Sequence, residues 1–411
     1  MTTPTLSPEH CQQDASWAAL VRQLPPDLDA LAFQQGALFR KRKFPSAALL
    51  LRLLLAYATG LSMPLVTAWA AQIGLIHLTP EALQRRLAQA RHWLQALVLH
   101  LLTGQARLDP AVRRLRLVDG THAPRPGARS QDWRLHLCLD LQHGTLAEAC
   151  VLPQRPGESF ARLPLQAGDL VVGDRNYGKR PGLLHVVQAG ADVLVRFVAK
   201  NLPLQTPEGT PFALAEHLPI LAEGATGEWT VQIAPTRRHA DGPPVRGRVI
   251  AYRLPAALAE RATRAQRRRR SRSGRQRTAQ AATVAGWQYV LLFTTVSAAV
   301  LPAPLALRLY RCRWQIELAI KRYKQLCGLG TLHTRTDACC QAVLWAKLLL
   351  IVWLEQRGRE TALFSPGAGG DHGTGESVAD DGAALVDARP SHCARRSVDR
   401  GRRRAAPAPH P

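Results

Sequence analysis

The chain has 411 residues, and the 46% that are hydrophobic are enough to fill the cores of two or three packed units. It carries 54 Lys and Arg residues against 30 Asp and Glu residues, a formal net charge of +24, which favours a polyanionic partner such as nucleic acid over an arginine-rich composition without function. Its eight cysteines form no C-x-x-C pair, which argues against structural zinc and a disulfide framework and fits a reduced, cytosolic protein.

The N-terminal part, residues 14–105, has the apolar periodicity of successive short helices. Ser62 and Thr79 stand at N-cap positions and are each followed by a proline, and Gly74 is expected to break between two helices. Short helices joined by a tight turn are typical of a helix-turn-helix, and a plain helical bundle explains the pattern equally well. In a helix-turn-helix, three arginines could face phosphate: Arg85, Arg86 and Arg91.

Two stretches are strongly apolar, AALLLRLLLAYATGL and AVLWAKLLLIVWL. Arg52 interrupts the first and Lys347 the second, so neither offers an uninterrupted span of membrane length. We therefore interpret both as buried helices and expect no association with a membrane. The first residues lack the basic start and apolar core of a signal peptide, which fits a cytoplasmic protein.

From residue 114 onwards the periodicity changes to that of strands. RLRLVDGT, DWRLHLCLDL and LAEACVLP are predicted to be consecutive strands, and a short helix is predicted at SFARLPLQA. LVVGDRNY and DVLVRFVA are predicted as two further strands, separated by a helix at RPGLLHVVQAGA. This succession predicts a mixed α/β layer.

Residues 199–295 differ again, because short strand-like pieces alternate with stretches rich in Pro, Gly and charge. The pieces are EWTVQIA, VRGRVIAYRL and WQYVLLFTT. Between the last two lies RATRAQRRRRSRSGRQR, which is too charged to fill a core. We predict a mobile, phosphate-seeking loop there, and the alternative is a solvated insertion without a partner.

The chain then returns to helical periodicity. PAPLALRLYRCRWQIELAIKRYKQL predicts one continuous helix over residues 302–327, and DACCQAVLWAKLLLIVWLEQR predicts a second. Beyond about residue 358 the sequence is rich in Gly, Ala, Pro, Asp and Arg and has no periodicity, so residues 359–411 are predicted to be disordered.

Four polar residues share one side of the helix predicted at 302–327. At about 100° per residue, Tyr310, Arg313, Glu317 and Lys324 fall within an arc of roughly 60°. Glu317 then lies at the border of the core with cations beside it, which suits a carboxylate presented to a site. The alternative is an amphipathic helix whose charges are merely solvated.

Two aspartates occupy comparable positions in the strands. Asp119 is predicted to end its strand, with Gly120 allowing an immediate turn, and Asp174 follows Gly173 at the end of another. Each alone could be a turn residue or a helix cap. Together with Glu317 they could bind Mg²⁺, which prefers oxygen ligands, and two ions about 4 Å apart would support phosphodiester cleavage.

These residues carry a resemblance to the DDE transposases of bacterial insertion sequences, specifically the insertion sequence 4 family. YRCRWQIELAIKRYK matches the family's signature of Tyr, two residues, Arg, three residues, Glu, six residues and Lys, and it shares the local sequence at Trp314. LVDGT and VVGDRNY resemble the strands that carry the family's two aspartates, and residues 30–355 share the general organisation.

The resemblance implies a fold and a division of the chain. The expected fold class is α/β, an RNase H-like catalytic core with a mixed sheet, a β-rich insertion and an N-terminal helical domain. Residues 1–110 would form a helical domain that binds DNA ends, and residues 111–358 the DDE catalytic domain, with its Arg-rich insertion at about 199–295. The tail at 359–411 resembles nothing in the family.

The resemblance also implies an activity. The chain would hydrolyse double-stranded DNA at the terminal inverted repeats of an insertion sequence and join the freed 3′-OH to target DNA. It would act as a homodimer on the paired ends of the element and associate with the bacterial nucleoid. Mg²⁺ or Mn²⁺ would be the cofactor, held by three carboxylates: Asp119, Asp174 and Glu317. The residues expected to contact DNA, with a flipped base as one option, are Tyr310, Arg313, Trp314 and Lys324.

Two other functions remain compatible with the sequence. A decayed or repurposed copy could bind DNA without cutting it, and its binding would be sensitive to salt. An RNase H-fold nuclease of host repair would cut structured DNA whatever its terminal sequence. Metal-dependent cleavage of DNA that contains the element's ends separates the transposase from a copy that only binds DNA.

Overall fold

The computed structural model describes seven segments of the chain: residues 17–39, 44–103, 114–128, 133–153, 157–235, 242–272 and 286–360. The predicted boundary at 110/111 lies outside these segments, as does nearly all of the tail predicted to be disordered. The last part of the arginine-rich stretch, from residue 273, also lies outside them.

The N-terminal part is helical, as predicted. Residues 17–22 form a first helical stretch, and five helices follow: α1 (Leu28–Gln34), α2 (Ala47–Ala58), α3 (Met63–Gln72), α4 (Pro80–Gln89) and α5 (Arg91–Thr103). The two predicted N-caps are confirmed, because the Ser62 hydroxyl accepts from Leu65 N at 3.3 Å and the Thr79 hydroxyl from Ala82 N at 3.2 Å. Gly74 adopts a φ of +70° directly after α3 and so ends it.

The strands of the described residues form one sheet. They are β1 (Arg114–Ala123), β2 (Trp133–Asp140), β3 (Thr145–Pro153), β4 (Asp169–Gly173), β5 (Asp192–Arg196), β6 (Leu204–Gln205), β7 (Thr226–Ile233), β8 (Val245–Arg253) and β9 (Tyr289–Thr294). Their order is β3-β2-β1-β4-β5-β9-β8-β7-β6. The pairs β1–β4 and β4–β5 are parallel and the other pairs antiparallel, which confirms the predicted mixed α/β class.

The strands predicted within residues 199–295 do not form a separate layer. β9 pairs with β5 through Leu194↔Thr294, Val195↔Phe293 and Arg196↔Leu292, and β8 and β7 continue outward from β9. The insertion therefore extends the sheet of the core, and the buried faces of its strands join the core's hydrophobic clusters.

The later helices cover the sheet. They are α6 (Arg180–Gln188), α7 (Leu214–His217), α8 (Ala256–Arg272), α9 (Ala303–Arg311), α10 (Trp314–Leu326) and α11 (Asp337–Glu360). A larger cluster holds α2, α5, α10 and α11 against one face of β1, β2 and β3. A smaller cluster packs α6 and the 3₁₀ turn Phe160–Arg162 against the other face, through Val118, Cys138 and Val171.

The interpretation of the two apolar stretches as buried helices is confirmed. α2 has eight buried residues, and α11 packs against α2, α4, α5 and β3. By length and composition α11 could cross a membrane, but 67% of its apolar window is buried inside the protein, as in a core helix. Lys347 is only 1% exposed, and its ammonium donates to Gly328 O at 2.7 Å and to Thr331 O at 2.5 Å.

The prediction of a mobile loop at the arginine-rich stretch is wrong for its described part. Residues 256–272 form α8, because Ala and Arg both favour helix and because three residues pack against the larger cluster. These are Leu258, Ala259 and Ala262.

The prediction of one continuous helix over 302–327 is also wrong. α9 ends at Arg311 and α10 begins at Trp314. Between them the chain tightens into a turn closed by short-range bonds, Cys312 N to Leu309 O at 3.0 Å and Arg313 N to Tyr310 O at 3.1 Å. The arc calculated for a single helix therefore does not describe how Tyr310 and Arg313 stand relative to α10.

Candidate active site

The register of the sheet brings the two predicted aspartates side by side. The last parallel pair of β1 and β4 joins Val118 to Gly173; Asp119 is the next residue of β1, and Asp174 is the first residue after β4. Asp119 does not end β1, as the sequence had predicted, because β1 continues to Ala123 along β2. What ends at this level is the pairing with β4, and the two carboxylates lie close enough to interact electrostatically.

The helix α10 brings the third carboxylate to the same place. Arg313, at the start of α10, is 5% exposed; its guanidinium donates to the Glu317 carboxylate at 2.6 Å, and a second nitrogen lies 3.8 Å from an Asp119 oxygen. One guanidinium thus contacts both carboxylates. It also lies over the ring of Tyr310, with its carbon 6.0 Å from the ring centre.

Burial and charge govern the protonation of this cluster. Burial, with a smaller contribution from the nearby Asp174 and Glu317 carboxylates, raises the pKa of Asp119 from its ordinary value of 3.8 to about 7. Arg313 opposes that shift. Burial alone would lower the pKa of Arg313, but Tyr310, Glu317 and Asp119 raise it well above its usual range, so the guanidinium stays charged.

The donor chemistry of the three carboxylates fits a divalent metal. Mg²⁺ and Mn²⁺ prefer oxygen ligands, and Asp119, Asp174 and Glu317 offer only oxygens. As the side chains stand in the described part of the chain, no group of three or more Asp, Glu, His or Cys is gathered closely enough to hold an ion. Arg313 lies between two of the carboxylates instead. Their role as metal ligands therefore stays a prediction.

The other residues of the signature occupy different environments. Tyr310 is buried beside Arg313, and burial raises its pKa. Trp314 is 45% exposed at the first position of α10, next to Arg313 in the chain. Lys324 is half-buried, and its aliphatic stem lies close to Gly330. The structure thus places Tyr310 and Arg313 in the cluster and leaves Trp314 accessible.

Arg196 belongs to the cluster and was missed by the sequence analysis. It ends β5, the strand paired in parallel with β4, and interacts electrostatically with Asp174, Tyr310 and Arg313. Burial lowers its pKa. The sequence does contain this arginine at the end of a predicted strand. Only the strand order shows that this strand lies beside β4 and brings the arginine to Asp174.

Tyr177 and Glu158 were also missed. Tyr177 is fully buried, its hydroxyl lies 3.0 Å from His136 Nδ1, and its pKa is raised first by burial and then by Asp119, Glu158 and Asp174. The hydroxyl therefore lies near the carboxylates, within the smaller cluster on the face of the sheet that α6 covers. No local pattern marks Glu158, because it lies in a connection between strands.

Two of the three arginines of the possible helix-turn-helix contact other groups of the protein. The Arg86 guanidinium lies 5.8 Å from the ring centres of both Phe39 and Phe44, and Arg91 donates to Ala88 O at 3.1 Å. Arg85 is exposed on α4. Both interpretations of this region, a helix-turn-helix and a helical bundle, remain open.

The comparison with protein families gives the decisive match: residues 110–353 match the family model described as Transposase DDE domain. The chain belongs to the DDE transposases. This transposase is 34% identical over 363 residues to the transposase for insertion sequence element IS421 of Escherichia coli, covering 86% of this chain and 97% of that protein. It is equally similar to InsL for insertion sequence element IS186A of Escherichia coli (strain K12), with 34% identity over 362 residues and the same coverage.

The family settles the class of enzyme. The protein is a transposase that acts on DNA, and its family implies a requirement for a divalent metal. The mixed sheet and its helices are consistent with the expected RNase H-like core. A cryo-electron microscopy structure of a piggyBac transposase synaptic complex with hairpin DNA aligns with 82% of this chain and 69% of that chain. The identity is 8% and the TM-score 0.41, a likeness too weak to support further inference.

Proposed function

We propose that this transposase cuts the ends of an insertion sequence by metal-dependent phosphodiester hydrolysis and joins the freed 3′-OH to target DNA. The main support for the proposal is that the guanidinium of Arg313 contacts both Asp119 and Glu317. The register of the sheet also sets Asp174 beside Asp119. We assign these three carboxylates as ligands of Mg²⁺ or Mn²⁺. Bound ions would lower the pKa of an attacking water and stabilise the leaving oxygen.

The cations of the cluster have a role on the substrate side. Arg313 stays charged, and Arg196 lies close by, so a DNA phosphate that approaches the carboxylates would meet two guanidiniums that balance its charge. Tyr310 positions Arg313 by packing under it. We propose that Lys324 contacts a phosphate and that Trp314, exposed at the start of α10, offers a ring on which an unpaired base can stack.

The subfamily and the assembly are part of the same proposal. The spacing of Tyr310, Arg313, Glu317 and Lys324 supports membership of the insertion sequence 4 group. We propose that residues before 110 bind the terminal inverted repeats, that the protein acts as a homodimer on paired ends, and that it works on nucleoid DNA in the cytoplasm. The net charge of +24 supports binding to double-stranded DNA.

A cleavage assay tests the assignment of the carboxylates. The full chain is incubated with duplex DNA that carries the element's ends, with Mg²⁺, with Mn²⁺ and with a chelator. We expect metal-dependent cleavage by the wild type and its loss by at least a thousandfold, on the order of 4 kcal/mol, in Asp119→Asn, Asp174→Asn and Glu317→Gln. Glu216→Gln, which changes an exposed glutamate on α7, is the control and should cut normally.

Two results would overturn the proposal. Equal cleavage by the wild type and all three variants would remove the carboxylates from the chemistry. Salt-sensitive binding of the end DNA without any metal-dependent cutting would indicate a copy that binds DNA but no longer acts on it.

A further inference from the structure

Glu158 lies in the connection between β3 and β4, just before the 3₁₀ turn Phe160–Arg162. Its half-buried side chain crosses directly over Gly120, the residue that follows Asp119. A Cβ atom at position 120 would lie 2.8 Å from a carboxylate oxygen of Glu158 and 3.4 Å from its carboxyl carbon. Any side chain other than hydrogen at position 120 would therefore occupy the place of this carboxylate.

Gly120 is not required by the backbone. It lies within β1 and lacks the left-handed φ that favours glycine elsewhere in the chain, so any residue could adopt its conformation. The sequence predicted that Gly120 permits a turn after Asp119, and that prediction is wrong because the strand continues. What the glycine does provide is room for Glu158.

Asn176 links Glu158 to the candidate active site. Its backbone N–H donates to the Asp174 carboxylate at 2.8 Å, and its side chain makes a hydrogen bond with Glu158. Glu158 also interacts electrostatically with Asp174, Arg134 and Lys179. Two carboxylates are thus held on either side of one asparagine.

Glu158 approaches the site from the face of the sheet opposite to α10. Side chains alternate between the two faces of the sheet along β1. Leu117 and Asp119 share one face, where Leu117 packs in the larger cluster and Asp119 meets Arg313. Val118 lies on the other face, in the smaller cluster. Gly120 shares the side of Val118, and Glu158 covers it there. Glu158 and Glu317 therefore approach the two aspartates from opposite faces of the sheet.

We propose that Glu158 is a positioning residue of the metal site. Through Asn176 it fixes the carboxylate of Asp174, and its own negative charge strengthens the binding of a divalent cation by this transposase. The proposal rests on the assignment of Asp119, Asp174 and Glu317 as metal ligands. Residues that orient metal ligands without binding the metal themselves typically change metal affinity by about 10- to 100-fold.

Binding of Mn²⁺ to the DNA-free full chain tests the proposal, with free Mn²⁺ measured by electron paramagnetic resonance. Glu158→Gln keeps the shape of the side chain and its ability to accept from Asn176, so it removes only the charge. We expect this variant to bind Mn²⁺ about tenfold more weakly than the wild type. Glu216→Gln, an exposed glutamate changed in the same way, should bind normally.

Gly120→Ala supplies an independent variant. The atoms that its methyl group would meet are the far end of the flexible Glu158 side chain, so the chain can fold while that carboxylate is displaced. We expect Gly120→Ala to lose at least as much Mn²⁺ affinity as Glu158→Gln, because displacement of the side chain removes both the nearby charge and the bond with Asn176. We expect the double variant to lose no more than Gly120→Ala alone. Full additivity in the double variant, or normal binding in either single variant, would overturn the proposal.

Asp174→Asn separates this proposal from the proposed function. If Asp174→Asn loses Mn²⁺ binding while Glu158→Gln and Gly120→Ala bind like the wild type, the role of Glu158 is refuted and the metal site stands. If the wild type and Asp174→Asn bind Mn²⁺ equally, or neither binds it, the metal site itself is refuted and the role of Glu158 with it.

Discussion

At the scale of single residues, the site combines carboxylates that repel one another with a cation that holds them together. Asp119 is the extreme case, because it is withdrawn from water and has two further carboxylates nearby. A protein does not gain stability from such a residue when it is charged. A charged Asp119 is instead useful for binding a cation, as the proposed metal site requires.

The pH dependence of stability tests this view of Asp119. Its pKa is raised from 3.8 to about 7 in the folded protein, so the unfolded chain loses the proton near pH 4 and the folded chain only near pH 7. The contribution of Asp119 to stability is therefore complete below pH 4 and is lost as the pH rises to about 7. We expect metal-free Asp119→Asn to exceed the wild type in free energy of unfolding by about 1 to 3 kcal/mol at pH 8.

Urea denaturation at pH 4.5 and at pH 8, in the presence of a chelator, measures this difference. The advantage of the variant should be small at pH 4.5 and grow towards pH 8. Glu216→Gln should show no such trend. A variant that loses stability at pH 8 would contradict the raised pKa.

At the scale of elements, α11 holds the site's framework together. Its Glu355 accepts a hydrogen bond from the Tyr323 hydroxyl of α10 and another from Leu146 N of β3, the latter at 2.8 Å. One carboxylate thus ties α10, which carries Glu317, to the sheet. The burial of Lys347 in the same helix, with its ammonium on two carbonyl oxygens, further fixes the segment that follows α10.

Removing the Glu355 carboxylate should loosen this framework. Glu355→Ala leaves the hydroxyl of the buried Tyr323 and a strand N–H without their acceptor, and we expect a loss of about 2 kcal/mol in the free energy of unfolding. Chemical denaturation measures the loss, and Gln325→Ala, at an exposed position of α10, is the matched control. If both variants are equally stable, the carboxylate does not join the three elements.

At the scale of the whole molecule, charge is the dominant property. The excess of 54 basic over 30 acidic residues is too large to be neutralised within the protein, and α8 presents part of it on the surface. Its Arg267 and Arg268 are both exposed. Since α8 packs against the larger cluster through its first turns, Arg267 and Arg268 are presented on a helix rather than on a mobile loop.

The salt dependence of DNA binding tests the role of α8. If its arginines neutralise phosphates, the combined variant Arg267→Gln and Arg268→Gln should reduce the slope of log K against log salt by about 2. Fluorescence anisotropy of labelled duplex DNA between 50 and 200 mM salt gives the slope. Arg246→Gln, at the opposite end of β8 from α8, is the comparison variant. An unchanged slope in the double variant would show that α8 does not contact the DNA backbone.

The sequence by itself determined the features that depend on near neighbours. The helices with caps at Ser62 and Thr79, the strands of the mixed sheet and the family resemblance follow from local periodicity and from spacing along the chain. The spacing from Tyr310 to Lys324 and the two aspartate motifs led to a transposase, and the family comparison confirmed it.

Only the tertiary structure decided which distant residues meet. The pairing of β9 with β5, the position of Asp119 within β1, the tight turn before α10 and the approach of Glu158 over Gly120 each depend on contacts between segments far apart in sequence. Local periodicity carries no information about such contacts, because the free energy that selects them comes from packing whole elements against one another.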